Sequence, residues 1–249
     1  MFSDLVAAPP LIWLGASLPV LGYVALLWFL CRGTEPSTLR LAAFAWGVVA
    51  APALSMHANN ALYARAPDLT PVLLAPAVEE VAKAAAIALL FLVPDGGARS
   101  GVILGGLAGL GFSLTENVGY LMIAAVQDGS TGLWRAIWVR GIVAGAKHGL
   151  FTATAGAAIG WARRASATTT RIIGFAVAGL TAAVAQHALW NGIASHVITD
   201  VLCNAPSPGG SCAGPDRVDL LVSVPALTAI CLAPGALALR WVTRANQNR

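Results

Sequence analysis

Apolar residues run along this chain in seven blocks of about 20, the length a helix needs to cross roughly 30 Å of hydrocarbon. They cover approximately residues 10–31, 39–56, 71–93, 101–126, 135–161, 172–199 and 218–239, with polar or Pro/Gly-containing breaks between them. No long repeat or low-complexity segment interrupts the series. The pattern predicts an all-α, polytopic membrane helix bundle of about seven transmembrane helices, a single membrane domain over 1–249. The first block is expected to stay as an anchor, because "MFSDLVAAPP" has no basic residues before the apolar run and Arg32 follows it.

Within the blocks, small residues recur at helical spacing. Gly101, Gly105, Gly109 and Ser113 form one stripe, and Gly141, Gly145 and Gly149 another. Such stripes let helix backbones approach closely, so spans four and five are expected to be central and tightly packed.

Composition agrees with the pattern. Hydrophobic residues are 57% of the 249 and charged ones 10%, far from the soluble balance of about 25% charged. The net charge of +4 and pI near 9.2 reflect basic residues flanking apolar blocks, which excludes nucleic acid as the expected partner and leaves the lipid bilayer. Arg32 and Arg40, then Arg99, then Arg163, Arg164 and Arg171, then Arg240, Arg244 and Arg249 occupy alternate loops. The positive-inside rule puts those loops in the cytoplasm, with the N-terminus outside and the C-terminus cytoplasmic. All but two of the 15 basic residues are arginine and alanine is abundant, a usage expected of a GC-rich bacterial genome, and the apolar blocks make the chain an expected multi-pass protein of the cell membrane. The outer loop "CNAPSPGGSC" then offers Cys203 and Cys212 for a disulfide, whereas Cys31 and Cys231 read as buried apolar residues.

Four consecutive blocks carry polar residues that lipid cannot satisfy. "APAVEEVAK" places Glu79, Glu80 and Lys83 in span three, "SLTENVGY" places Glu116, Asn117 and Tyr120 in span four, "KHGLFTATAG" places Lys147, His148 and Thr152 in span five, and "QHALWNG" places Gln186, His187 and Asn191 in span six. Spans one, two and seven show no comparable cluster. At about 1.5 Å of rise per residue, Glu79 and Glu80 lie roughly 12 to 14 Å below the outer face, Glu116 roughly 15 Å, His187 roughly 18 Å and His148 roughly 20 Å. Glu79/Lys83, Glu116/Tyr120, His148/Thr152 and His187/Asn191 are i, i+4 pairs, each on one helix face. A shared site in the outer half of a four-helix core over 71–199 follows, since charges kept in a bilayer are usually functional. Taken singly, Glu79–Lys83 also reads as a structural ion pair, Asn117, Thr152 and Asn191 as interhelical hydrogen-bond formers, and Tyr120 and Trp190 as packing residues. His196 looks interfacial.

Carboxylates beside imidazoles are the parts that activate water for attack on a carbonyl. Either Glu79 or Glu80 suits the base, and His187 and Asn191 can both aim donors at an oxyanion. No Gly-x-Ser-x-Gly elbow is present, so hydrolysis by activated water is the economical chemistry.

The order Glu-Glu-x-x-Lys, Phe-Ser-Leu-Thr-Glu-Asn, His followed by Phe-Thr-Ala-Thr-x-Gly, and His-Ala-Leu-Trp-Asn, over residues 75–192, resembles the PrsW family of bacterial intramembrane proteases. That family is distantly similar to the CAAX prenyl endopeptidases and the CPBP group. The resemblance implies cleavage of a membrane-anchored protein near the outer face, with an anti-sigma factor as the best-known substrate. It assigns the paired glutamates to Glu79 and Glu80, the motif histidines to His148 and His187, the following asparagine to Asn191, and a motif of the family itself to Glu116 and Asn117. The wider group's arginine after the glutamate pair and its Phe-x-x-x-His motif are replaced here by Lys83 and "AGAKH", so no prenylated substrate is expected.

His148, His187 and Glu116 can be drawn as a zinc site with an open water position. The absence of His-Glu-x-x-His, and the metal-free look of relatives in the wider group, favour no cofactor. Intramembrane glutamates and histidines also mark proton routes, so a proton-coupled transporter or ion-binding protein is the alternative; it would more often show paired repeats with broken helices, and neither is legible. A catalytically dead scaffold is the third reading.

Overall fold

The computed structural model describes residues 9–30, 35–94, 96–165, 168–194 and 219–245. Every element among them is helical. Helix α1 is Pro10–Leu30. Helix α2, Ser37–Ala45, continues through a widened π segment, Trp46–Ala50, into α3, Ala51–Tyr63. A π segment, Thr70–Leu74, leads into α4, Ala75–Ala84, which tightens into a 3₁₀ stretch, Ala85–Leu92. Helix α5 is Ala98–Ala136, followed by a π segment Ile137–Val143 and by α6, Lys147–Arg164. Helix α7 is Thr169–Leu189 with a π segment Trp190–Ala194, and α8 is Val224–Ala245 after a π segment Asp219–Ser223. The Thr168 hydroxyl caps α7 by accepting from the Arg171 amide at 3.4 Å.

Four of the described helical stretches are long and apolar enough to cross a membrane: Pro10–Phe29, Ser37–Tyr63, Ala98–Arg164 and Thr169–Gly192. Ala98–Arg164 is not one rod. Gly129 lies in the left-handed region at φ 62°, where a side chain is disfavoured, and it turns the chain back on itself. The expected third block divides into π, α and 3₁₀ pieces around three charges and is not among the four. The loop with Cys203 and Cys212, and His196, lie outside the described residues, as does Cys31.

The centre of the bundle is the antiparallel pair α5/α6. A Cβ on Gly101 would strike the Gly156 carbonyl and one on Gly156 the Gly101 carbonyl; Gly105 meets the backbone of Thr152, Gly109 that of His148, and Gly160 that of Gly97. Backbone contact of this kind replaces the hydrophobic drive that lipid cannot supply. The stripe read on span four does pack against span five. Its partner differs from the expected one, however: the small face of α6 continues through Thr152, Gly156 and Gly160, whereas Gly141 turns toward Pro19 and Gly15 of α1.

The α2–α3 rod runs parallel to α5. Gly47 abuts the Ala108 carbonyl, Gly111 abuts the Phe44 carbonyl, and the Thr115 hydroxyl donates to the Val48 carbonyl at 2.6 Å. Basic side chains gather where α5 begins and α6 ends. Arg163 donates to the Gly96 carbonyl at 3.0 Å, and Arg40 pairs with Glu35 at 3.0 Å and covers Trp28. His148 lies at the opposite end of α6, about 23 Å away along the helix axis.

Candidate active site

Helix α4 points Glu80, Lys83 and Glu79 inward, and Pro76 starts it in the first turn, where a missing N–H is tolerated. Glu80 and Lys83 are fully buried, one turn apart, with Nζ 2.6 Å from Oε1; Glu79 lies 4.0 Å from the same ammonium. The ion pair therefore joins i and i+3, with Glu79 a secondary neighbour. The Thr152 hydroxyl of α6 donates to Glu80 Oε2 at 2.8 Å, and Nδ1 of His187 in α7 lies 3.0 Å from Glu80 Oε1. Both oxygens of Glu80 are thus engaged.

His148 opens α6, just after the helical path breaks over residues 144–146. That break is absent from the straight span expected over 135–161, so a depth counted along one rod does not apply to His148. Broken helices do occur, contrary to the sequence reading, although they form no paired repeat among the described elements. Nζ of Lys83 lies 3.1 Å from His148 Nδ1, and an ammonium has only protons to give. Nδ1 therefore accepts, and Nε2 donates to Glu116 Oε2 at 2.9 Å.

Glu116 belongs to a second, more open group. Its Oε2 also takes Arg140 at 2.6 Å and Lys147 at 3.5 Å, and the Arg140 guanidinium stacks 3.5 Å over Tyr120. Asn117 is buried and donates to the Arg140 carbonyl at 3.4 Å. Asn191 sends its amide to the Pro71 carbonyl at 3.0 Å, while the His187 ring proton faces Glu80. The two do not converge on one point as donors, which corrects the oxyanion pairing read from their spacing.

Asn59 was missed. It donates to Glu79 Oε1 at 3.2 Å from α3, a helix that runs to Tyr63 where the sequence reading ended span two at 56. The signal was "HANN", polar residues read as a loop. Arg140 was missed too, as a cation in an apolar block.

Glu79 Oε2 is buried with no hydrogen-bond partner among the described residues. It faces His187 Nε2 across 3.7 Å. With Nδ1 donating to Glu80, Nε2 of the neutral ring carries a lone pair, so two acceptors confront each other across a gap that requires a proton donor or a cation. Donor atoms of Glu79, His148 and His187 all lie within 4.8 Å of one another, a group able to hold a metal ion.

The family model for the PrsW family intramembrane metalloprotease matches residues 35–230. The chain belongs to this family. No curated protein and no solved structure matches it. Membership in the PrsW family supports an intramembrane protease over the transporter. Its description as a metalloprotease also runs against the metal-free preference of the sequence reading. The compact donor set includes Glu79 in place of Glu116, whose Oε2 is shared among Arg140, Lys147 and His148.

Two recesses reach the cluster. A polar one of about 670 Å³ is lined by Asn59, Asp68, Glu79, Glu116, Arg140 and Asn191 among others. An apolar one of about 290 Å³ is lined by Pro52, Met56, Phe112, Gly119, Tyr120 and Ile123, and shares Asn59, Glu79, Glu116 and Tyr120 with the first.

Proposed function

We propose that this chain hydrolyses a peptide bond of a membrane-anchored protein near the outer face of the cell membrane, as a seven-span protein with its N-terminus outside. The observation that carries the site assignment is the pair of facing acceptors, Glu79 Oε2 and His187 Nε2, 3.7 Å apart.

The donor set fits a metal. Two zinc ligands at about 2.0 to 2.2 Å in a tetrahedron stand about 3.4 Å apart, close to the Glu79–His187 separation, and the Glu79 oxygen at that gap has no hydrogen-bond partner. Glu79 and His187 would hold the ion, and His148, whose Nδ1 accepts from Lys83, would join them only by giving up that contact. When bound, it supplies a Lewis acid and a water of lowered pKa.

The chain's own residues do the rest. Glu80 holds the His187 ring by Nδ1, and Lys83 and Thr152 hold Glu80. Glu116 and Lys83 hold His148 from both sides. The water oxygen bonds to the scissile carbonyl carbon while a water proton passes to the Glu79 carboxylate. That proton then goes to the leaving amine as the C–N bond breaks, giving a new carboxyl and a new amine terminus. Glu79, not Glu80, is the base in this reading: Oε2 would face the ion and Oε1, which accepts only the Asn59 amide, has a lone pair left to take the proton, whereas Glu80 accepts from Lys83, Thr152 and His187. Arg140 and Lys147 line the polar side, where the developing oxyanion needs positive partners.

The Glu-Glu pair and the final His-x-x-x-Asn support a distant placement beside the CPBP and CAAX endopeptidases, and the family resemblance supports an anti-sigma factor as substrate. The test is cleavage of co-expressed membrane proteins by Glu79→Gln and His187→Ala variants that retain expression and fold. Loss in both is expected; normal cleavage by both removes the assignment.

A further inference from the structure

The apolar recess has a construction that the catalytic cluster does not require. The α2–α3 rod and α5 touch backbone to backbone at Gly47, Ala108 and Gly111 and stay joined at Val48 and Thr115. The same register then brings Pro52 opposite Gly119 and Met56 opposite Ile123, and there the two rods part. A Cβ on Gly119 would meet nothing within 4 Å. The contact closes one end of a wedge, and the opening lies one to two turns further along both helices. Proline in the first turn of α3, after the π segment Trp46–Ala50, is a local cause of the departure. Ile123 and Tyr120 are 52% and 45% exposed along the wedge. Its inner end is Glu79, where the polar recess begins.

We infer that the wedge between α3 and α5 is the lateral port through which an apolar, membrane-spanning segment of the protein substrate reaches the cluster from lipid. This rests on the protease reading above. A spanning helix hides its peptide groups in internal hydrogen bonds and cannot release them into hydrocarbon. At Glu79 an apolar wall gives way to a polar one, so side chains can stay among Pro52, Met56, Phe112 and Ile123 while the freed backbone meets Asn59 and water. The substrate class is accordingly a protein whose cleavage site lies at the polar end of a spanning helix, with apolar side chains on its membrane side.

The test uses the full chain in native membranes. Proteins that accumulate uncleaved with Glu79→Gln define the substrates. A benzophenone amino acid placed at Ile123 in that variant is expected to crosslink those same proteins within their spanning segments, and one at Val177 on α7 is not. Crosslinks at Ile123 only to lipid, or only outside the spanning segments, overturn the port. If no protein accumulates, the protease reading itself fails and the port falls with it. A second measurement takes one such substrate reconstituted with the purified enzyme. Gly119→Phe should raise KM at least tenfold, whereas Gly174→Phe, on α7 and equally free of neighbours within 4 Å, should not. Equal KM for both variants overturns the proposal.

Discussion

Nδ1 of His187 lies 3.0 Å from Glu80 Oε1, and this contact aims the opposite ring nitrogen at Glu79 across 3.7 Å. Two adjacent glutamates therefore have unlike situations. Glu80 is enclosed by Lys83, Thr152 and His187, while Glu79 keeps one oxygen without a hydrogen-bond partner, 4.0 Å from the Lys83 ammonium.

That difference makes the two glutamates separable by mutation. Glu79→Gln should lower cleavage by about 10²–10⁴-fold with the fold intact, as expected when a general base is lost. Glu80→Gln acts through the His187 ring and should weaken metal affinity by about 10–100-fold, the usual cost of losing an orienting partner. Metal titration of the two purified variants checks the second effect without relying on activity.

Lys83 neutralises a carboxylate in a fully buried place. Lys83→Met leaves Glu80 charged and unpaired, a change that costs about 3–5 kcal/mol. Thermal unfolding in detergent should fall sharply for Lys83→Met and recover in part for Lys83→Met with Glu80→Gln. Equal stability of wild type and Lys83→Met would show that the pair carries no such role.

The α5/α6 contact tolerates no side chain. Gly101→Val and Gly156→Val each drive a side chain into the facing carbonyl, so the helices must separate or the chain must fail to assemble. Expression and detergent-resistant folding should drop in both. Gly22→Val, which meets nothing within 4 Å, is the control and should behave as wild type.

Metal content follows from the donor set. Elemental analysis of protein purified without chelator should find close to one divalent ion per chain, lost in His187→Ala and retained in Asn191→Ala, whose amide is held by Pro71. Cleavage by a sample free of metal would return the site to water activated by glutamate and histidine alone.

Much of this architecture was readable in the sequence. An apolar block of about 20 residues announces a helix in lipid because no other open structure satisfies its backbone there. Polar residues in four such blocks announce inward faces for the same reason, and the structure gathers Glu79, Glu80, Lys83, Glu116, His148, Thr152 and His187 into linked contacts. Asn59 escaped notice because the polar run "HANN" reads as a loop, and Arg140 because it is a single cation in an apolar block; each gains meaning only from a partner 20 or 24 residues away.

The sequence by itself determined that the chain is a membrane helix bundle with polar faces turned inward, since hydrocarbon penalises every alternative locally, residue by residue. Only tertiary structure decided which carboxylate oxygen is spare, which glutamate accompanies the two histidines, and where α3 parts from α5. Those depend on distances between side chains on different helices, set by glycine contacts, π segments and the breaks at Gly129 and 144–146. No periodicity along a single helix encodes them.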